Sequence, residues 1–402
     1  MKYMISVQEA RDSIKQVCKP LFPIEISRNR SLGLVLSKKV KAGIDLPGFD
    51  QSAMDGYAFR HIDFRSGSSF DVVGEAAAGT NPGIKVRRGQ AVRIFTGAPL
   101  PQGTDTVVMQ EKTERTGNRL LITDPELKKG ANVRIRGSQI KKGMIALPSN
   151  VVLTPGAIGF LSALGIHHVT CFPHPKISII CSGNELNNGK KPLESGEIYE
   201  SNSHALVAAL RSLHIENVST SLVKDDLASL IKLLKRSLAE SDLILMTGGI
   251  SVGEYDFSSA AIKKLGIKTV FYKIHQKPGK PLYFGKKGKK LVFALPGNPA
   301  AALTCFYEYV VPTIRLLCGY PEGFLTSQML PIHHDYQKKK GLGLFLKGLS
   351  DNGGISILDG QESFMLRSFC RADSIVFIPE EKENIIKGEL VEVHKIPGIS
   401  TL

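Results

Sequence analysis

The 402-residue chain has no tryptophan, no apolar run near the roughly 20 residues that span a bilayer, and no cysteine pair spaced as C-x-x-C. The first absence, together with the lack of a basic stripe interleaved with aromatics, argues against a nucleic-acid binder. The second argues against a membrane helix. The third leaves Cys18, Cys171, Cys181, Cys305, Cys318 and Cys370, mostly set in apolar runs, as expected buried reduced thiols rather than disulfides or zinc ligands. The opening residues Met1 to Ser6 lead directly into an amphipathic stretch with no signal-peptide core, so a soluble cytoplasmic protein is expected. Acidic residues are also scarce, 37 against 52 Lys and Arg, for a net charge of +15. Part of the excess sits in Lys190-Lys191, Lys286-Lys287-Gly288-Lys289-Lys290 and Lys338-Lys339-Lys340. Such clusters are ordinarily solvated loop tips; the sharper reading is steering of a polyanionic small molecule.

The hydrophobic fraction, 42%, suffices for packed cores, and the length calls for two or more domains. Residues 7–18 predict a helix with Val7, Ala10, Ile14 and Val17 on one face and Ser6 as its cap. From about Asp45 to Gln139, short β-type runs alternate with glycine and proline turns, the texture of a separate β module. Thr154-Pro155-Gly156 opens a helix that stops at Gly165. After Pro175, strand and helix alternate: a strand at 176–180, a helix at 203–213, a strand at 218–222, a helix at 227–238 and a strand from Leu243. That rhythm predicts a parallel sheet with ligands at the carboxyl ends of its strands. A helix at 299–317 precedes a last β-textured stretch, read as a small barrel or sandwich.

Residues 242–299 carry the densest chemical signal. The run Leu243-Ile244-Leu245-Met246 breaks into Thr247-Gly248-Gly249-Ile250-Ser251-Val252-Gly253-Glu254-Tyr255-Asp256. Paired glycines let backbone approach a phosphate, although a tight strand-to-helix turn capped by Asp256 explains this loop equally well. Lys277-Pro278-Gly279-Lys280-Pro281 is more specific: each proline restrains the lysine before it, which lowers the ordering penalty of holding two ammoniums near one oxyanion. Glu185, Asp225 and Asp256 fall at or just beyond successive strand ends. Singly, each is more often a cap or a surface acid. Together they form a candidate Mg2+ set, since that ion prefers oxygen ligands. The doublet His167-His168 and the run His333-His334-Asp335 chelate poorly from a strand, where neighbours face opposite sides.

In order along the chain, Pro47-Gly48-Phe49-Asp50-Gln51-Ser52-Ala53-Met54-Asp55-Gly56-Tyr57-Ala58, Arg93-Ile94-Phe95-Thr96-Gly97-Ala98-Pro99, Val108-Met109-Gln110-Glu111, Ser182-Gly183-Asn184-Glu185-Leu186, the Gly248-Gly249 loop, Lys277-Pro278-Gly279-Lys280-Pro281 and Leu295-Pro296-Gly297-Asn298-Pro299 resemble the MoeA family, the molybdopterin molybdenumtransferases, which includes the gephyrin E-domain. The resemblance spans nearly the whole chain. It implies an α/β multidomain protomer in an elongated homodimer. Its parts would be a discontinuous first part (1–44 with 140–172), an inserted β-rich part (45–139), a parallel α/β part of the molybdopterin-adenylyltransferase type (173–324) and a C-terminal β-barrel (325–402).

The implied reaction is insertion of molybdate into adenylylated molybdopterin with release of AMP, assisted by Mg2+. A molybdopterin adenylyltransferase is an implied partner. The site would lie between the third part of one chain and the second part of the other. By motif position, Asp55, Thr96, Glu185, Asp225, Asp256, Lys273, Lys277 and Lys280 would be catalytic. Glu185, Asp225 and Asp256 would hold the metal, and Gly248, Gly249, Ser251, Pro281, Asn298 and Ser363 would bind substrate. Three positions depart from the family's usual pattern near the implied oxyanion pocket. Gln139 stands where a carboxylate is frequent, Ala301 where a hydroxyl is, and Lys347 where an arginine is. Two other readings stay open, a molybdopterin adenylyltransferase and a non-catalytic molybdopterin-binding scaffold.

Overall fold

The structure, a computed structural model, describes residues 4–80, 83–248 and 257–398. Two compact units make up the chain, Glu25–Cys171 and the remainder, Met1–Ile24 with Phe172–Leu402. No helix among the described residues is long and apolar enough to cross a membrane.

The larger unit is built on a six-stranded sheet of β1 (Ile177–Ser182), β2 (Val218–Val223), β3 (Leu243–Thr247), β4 (Lys268–Tyr272), β5 (Tyr283–Lys287) and β6 (Lys290–Leu295), in the spatial order β2-β1-β3-β6-β5-β4. The first four in that order are parallel, and β5 runs antiparallel between β6 and β4. Every residue of β1 and β3 is buried, as expected of strands covered on both faces. Alternation sorts them between two cores. Ile177, Ile179, Cys181, Leu243, Leu245, Phe293 and Leu295 enter one core. Ile180, Ile244, Met246, Val292 and Ala294 enter the other.

The N-terminal helix Val7–Val17 buries Val7, Ala10 and Ile14 in the first of these cores. Its start is a reciprocal cap. Ser6 Oγ accepts from the Glu9 N–H, and the Glu9 carboxylate accepts from the Ser6 N–H. The second core is roofed by Leu227–Glu240, capped by Asp226, and by Phe257–Lys264.

The helical stretch read at 299–317 is not uniform. Pro299–Cys305 and Val311–Leu317 are α-helical, and Phe306–Val310 between them is a wider π turn. Pro312 cannot donate to the carbonyl four residues back and its ring crowds that position, which accounts for the local widening. The π turn carries a buried acid, Glu308, that meets His394 Nδ1 at 2.8 Å and Arg11 at 3.2 Å.

The C-terminal strands form the expected barrel. Ser327–Pro331, Leu390–Lys395, Ser374–Ile378, Gly343–Asp351 and Gly354–Ile357 pair in succession. A bridge between Ile332 and Ile355 closes the ring. Gln276–Lys277 adds a short parallel strand at the edge of Gly343–Asp351, so the first lysine of the proline-clamped pair is stitched to the barrel.

The smaller unit holds a six-stranded mixed sheet in the order Thr106–Met109, Gly56–Phe59, Gln90–Ile94, Ser69–Ala76, Arg119–Ile122 and Thr113–Thr116. Tyr57, Phe59, Phe70 and Leu120 fill one face, and Ala58, Val92, Ile94 and Val107 the other. The helix Pro155–Ala163, capped by Thr154 as its sequence predicts, packs with Leu34, Leu36 and Leu153.

Candidate active site

The sheet register makes the site. Cys181 lies opposite Thr247, and Thr247 opposite Leu295, so β1, β3 and β6 end nearly flush. The chain must turn at all three ends at once. Gly248 solves this at the end of β3. Its φ is +81°, and a Cβ there would lie 2.0 Å from the Ser182 carbonyl oxygen. The flush edge opens into a cavity of about 740 Å3 beyond the strand ends. This is the position at which open α/β sheets take ligands.

Seven of the residues singled out in the sequence line this cavity: Glu185, Gly248, Lys277, Lys280, Pro281, Asn298 and Ser363. Both lysines of the clamped pair are exposed at its wall, whereas Pro278 and Gly279 between them are buried. The reason lies beneath the loop. Gln276, fully buried, donates from Nε2 to the Pro278 carbonyl at 3.0 Å, and the buried Tyr309 hydroxyl donates to Gln276 Oε1. Gly279, at φ +83°, packs so close to Cys305 that a Cβ would lie 2.3 Å from Sγ. The loop is therefore anchored from inside, with its two charges turned out.

Also lining the cavity, Asn298 Nδ2 donates to Ser363 Oγ at 2.7 Å, and the Ala301 N–H donates to the Ser363 carbonyl at 3.0 Å. Ala301 has no hydroxyl to offer, but its backbone still helps to fix Ser363. Asn202 also lines the cavity. Its Nδ2 donates to the Gly297 carbonyl at 2.8 Å, and its Oδ1 is buried without a partner among the described residues.

Other predicted residues lie elsewhere. Asp225 follows β2, one strand beyond the cavity, and does not line it; its N–H donates to Asn184 Oδ1 at 3.1 Å, and its own Oδ1 is buried without a hydrogen-bond partner among the described residues. Lys273 does not line the cavity either; its ammonium sits 5.0 Å from the centroid of the Tyr272 ring. Gly249, Ser251 and Asp256 lie outside the described residues. Among the described residues no three His, Cys, Asp or Glu side chains converge in a metal-binding group.

Asp55 and Thr96 meet in the smaller unit. Asp55 Oδ1 accepts from the Thr96 N–H at 2.7 Å and from Thr96 Oγ1 at 2.8 Å. These donors, the N–H foremost, and the nearby Arg93 hold the Asp55 carboxyl below the usual carboxylate range. Arg93 is itself fixed between the Tyr57 and Phe95 rings, 5.1 and 4.9 Å from their centroids.

A sequence model of the MoeA N-terminal region (domain I and II) matches residues 5–165, one of a probable molybdopterin binding domain matches 178–316, and one of the MoeA C-terminal region (domain IV) matches 330–396. The molybdopterin molybdenumtransferase of Haemophilus influenzae is 32% identical over 97% of this chain and 98% of its own. The chain belongs to the MoeA family. The molybdopterin molybdenumtransferase of a Nostoc species is 38% identical over 73% of this chain and 69% of its own. A crystal structure of the molybdopterin biosynthesis MoeA protein from Pyrococcus horikoshii superimposes with a TM-score of 0.83 at 26% identity, covering 98% of this chain and all of that one.

Within this MoeA-family site, sequence reasoning overlooked Asn202 and Gln276. Asn202 opens the helix Asn202–Ser212 and looks like an ordinary helix start. Gln276 directly precedes the clamped pair, and its one sequence signal, a polar residue next to an apolar strand, is too common to single it out.

Proposed function

We propose that this protein is a transferase of molybdenum cofactor biosynthesis, a molybdopterin molybdenumtransferase that inserts molybdate into adenylylated molybdopterin and releases AMP. The observation that carries this reading is the cavity at the carboxyl edge of β1, β3 and β6, lined by Lys277 and Lys280 and by the hydrogen-bonded Asn298–Ser363 pair. Molybdate and a pyrophosphate link are both anionic. Two lysines on a pre-set loop offset that charge as it redistributes in the transition state. Asn298 orients the Ser363 hydroxyl, which can then donate to an oxyanion.

Glu185, Asp225 and Asp256 would hold Mg2+. Asp225 Oδ1 is buried with no hydrogen-bond partner among the described residues, which supports a cation as its partner, and the chemistry of the set is all carboxylate oxygen. When bound, Mg2+ would act as a Lewis acid on a phosphoryl oxygen. Asp55, kept ionised by Thr96, would complete the site from the second part of a partner chain in a homodimer. In this reading Lys273 acts after a side-chain rearrangement away from Tyr272, and Gly249, Ser251 and Pro281 contribute backbone and shape. The four-part division of the chain at 44/45, 139/140, 172/173 and 324/325 belongs to the same proposal.

The test is direct. Purified protein with adenylylated molybdopterin, Mg2+ and molybdate should release AMP in a molybdate-dependent manner without ATP. AMP release that ignores molybdate, or turnover that requires ATP and free molybdopterin, would overturn the proposal.

A further inference from the structure

Among the described residues, Lys347 is a lysine buried in the interior. It lies on the strand Gly343–Asp351 and is 4% exposed, where lysines are ordinarily at the surface. An ammonium has three donors. Here one reaches the Gly360 carbonyl at 2.6 Å and another the Met365 carbonyl at 3.1 Å, while Nζ sits 5.5 Å from the centroid of the Phe369 ring. Two of the three donors are thus committed to backbone carbonyls, and the buried side chain does not line the cavity. The two carbonyls are the two ends of one loop, 360–365. Ser368 Oγ lies within 2.8 and 3.1 Å of the same two carbonyls and donates its single proton to one or the other. The first end is also tied to the strand, where the Gln361 side chain accepts from the Lys347 N–H and donates to the Lys347 carbonyl, each at 2.9 Å. The loop brings Ser363 and Phe364 to the cavity, and Ser363 meets Asn298 and Ala301 there.

We infer that Lys347 is a positioning residue. It closes the 360–365 loop through two carbonyl bonds, so that Ser363 is presented to the oxyanion, and it makes no contact with the oxyanion itself. A basic residue near an anion site is ordinarily taken as a ligand for the anion. In this protein the buried ammonium is committed to backbone oxygens, and the recognition role passes to Ser363 and its partners. The inference rests on the reading of the cavity as an oxyanion site.

Two measurements test it on the full-length protein. The first needs no ligand. Lys347→Met keeps the length of the side chain and removes both carbonyl bonds. It should speed hydrogen exchange at the Ala301 amide, whose acceptor is the Ser363 carbonyl, and through the 360–365 loop. Ser368→Ala loosens the same carbonyls from an uncharged side chain and should act in the same direction if Lys347→Met folds poorly. Unchanged exchange at Ala301 in both variants would overturn the inference.

The second is a double-variant cycle on molybdate binding by calorimetry. Lys347→Met and Ser363→Ala should each weaken binding by roughly ten-fold, and the double variant should be no weaker than Ser363→Ala alone. Additive losses would mean that Lys347 touches the anion directly, and the inference would fall. If the unaltered protein binds no molybdate, the oxyanion reading fails, and the inference about presentation fails with it; the exchange result then reports separately whether the lysine holds the loop.

Discussion

Asn298 and Ser363 are joined by a 2.7 Å hydrogen bond, although they are 65 residues apart and belong to different layers of the larger unit. One begins the helix after β6, and the other sits on a loop of the C-terminal barrel. The bond fixes the rotor of the serine hydroxyl, whose donor direction would otherwise be undefined. Asn298→Ala should therefore raise the KM for molybdate roughly five- to ten-fold, with kcat less affected, as expected for loss of one neutral hydrogen bond. Steady-state AMP release at varied molybdate checks this. An unchanged KM would show that the pair is only structural.

Adjacent residues at the clamped loop should behave oppositely. Lys277 is exposed, so Lys277→Ala should leave thermal unfolding unchanged and lower kcat by two orders of magnitude or more, on the order of 3 kcal/mol. Gln276 is fully buried beneath it, and Gln276→Ala strips partners from the Tyr309 hydroxyl and the Pro278 carbonyl. That substitution should destabilise the fold by roughly 2–4 kcal/mol in denaturant titrations.

Gly248 and Gly189 share a φ of +81°, yet only Gly248 has backbone where a Cβ would go. Gly189→Ala should cost about 1 kcal/mol, the strain of a left-handed alanine. Gly248→Ala adds a Cβ 2.0 Å from the Ser182 oxygen and must push β1 from β3. Its loss should be at least twice that of Gly189→Ala by the same titration, with weaker ligand binding in the cavity.

His394 predicts a pH dependence of stability. Burial alone would depress its pKa, but the charge and hydrogen bond of Glu308, with a second bond from Glu392, raise it to about 9. The group is raised above its unfolded value of about 6.5, so its contribution is complete below that pH and is lost as pH rises through about 9. The expected loss is on the order of 3 kcal/mol, read as a falling thermal midpoint between pH 6.5 and 9.5. His394→Gln should flatten that part of the profile.

The thiols should divide five to one. Cys18, Cys171, Cys181, Cys305 and Cys318 are buried, and Cys370 is exposed. Burial pushes Cys18, Cys181 and Cys318 up to about 12 and Cys171 up to about 11. A thiol-specific reagent should label one cysteine in the native protein at pH 8 and six after denaturation. More than one equivalent in the native state would contradict the burial of these five thiols.

The sequence by itself determined the elements and their order. The apolar runs of β1 and β3, the capped helices and the βα rhythm all follow from side-chain period and caps, which are local properties of consecutive residues. It also determined which loops share the carboxyl edge of the sheet, because parallel strands joined by right-handed crossovers put their carboxyl ends together. The motifs placed Glu185, Lys277, Lys280, Asn298 and Ser363 in one candidate site, and they line one cavity.

Tertiary structure decided the partners. The amphipathic face of Val7–Val17 is legible, but not the core that receives it. Asp225 is as plausible in sequence as Glu185, but strand order sets it one strand beyond the cavity. Lys347 reads as a lysine in place of an arginine near the implied oxyanion pocket, yet its ammonium is held by Gly360 and Met365. In each case the deciding contact joins residues from different elements, with β-strand register or helix packing between them. Period and propensity describe how one segment meets water, whereas a hydrogen bond across the fold depends on where several segments come to rest together.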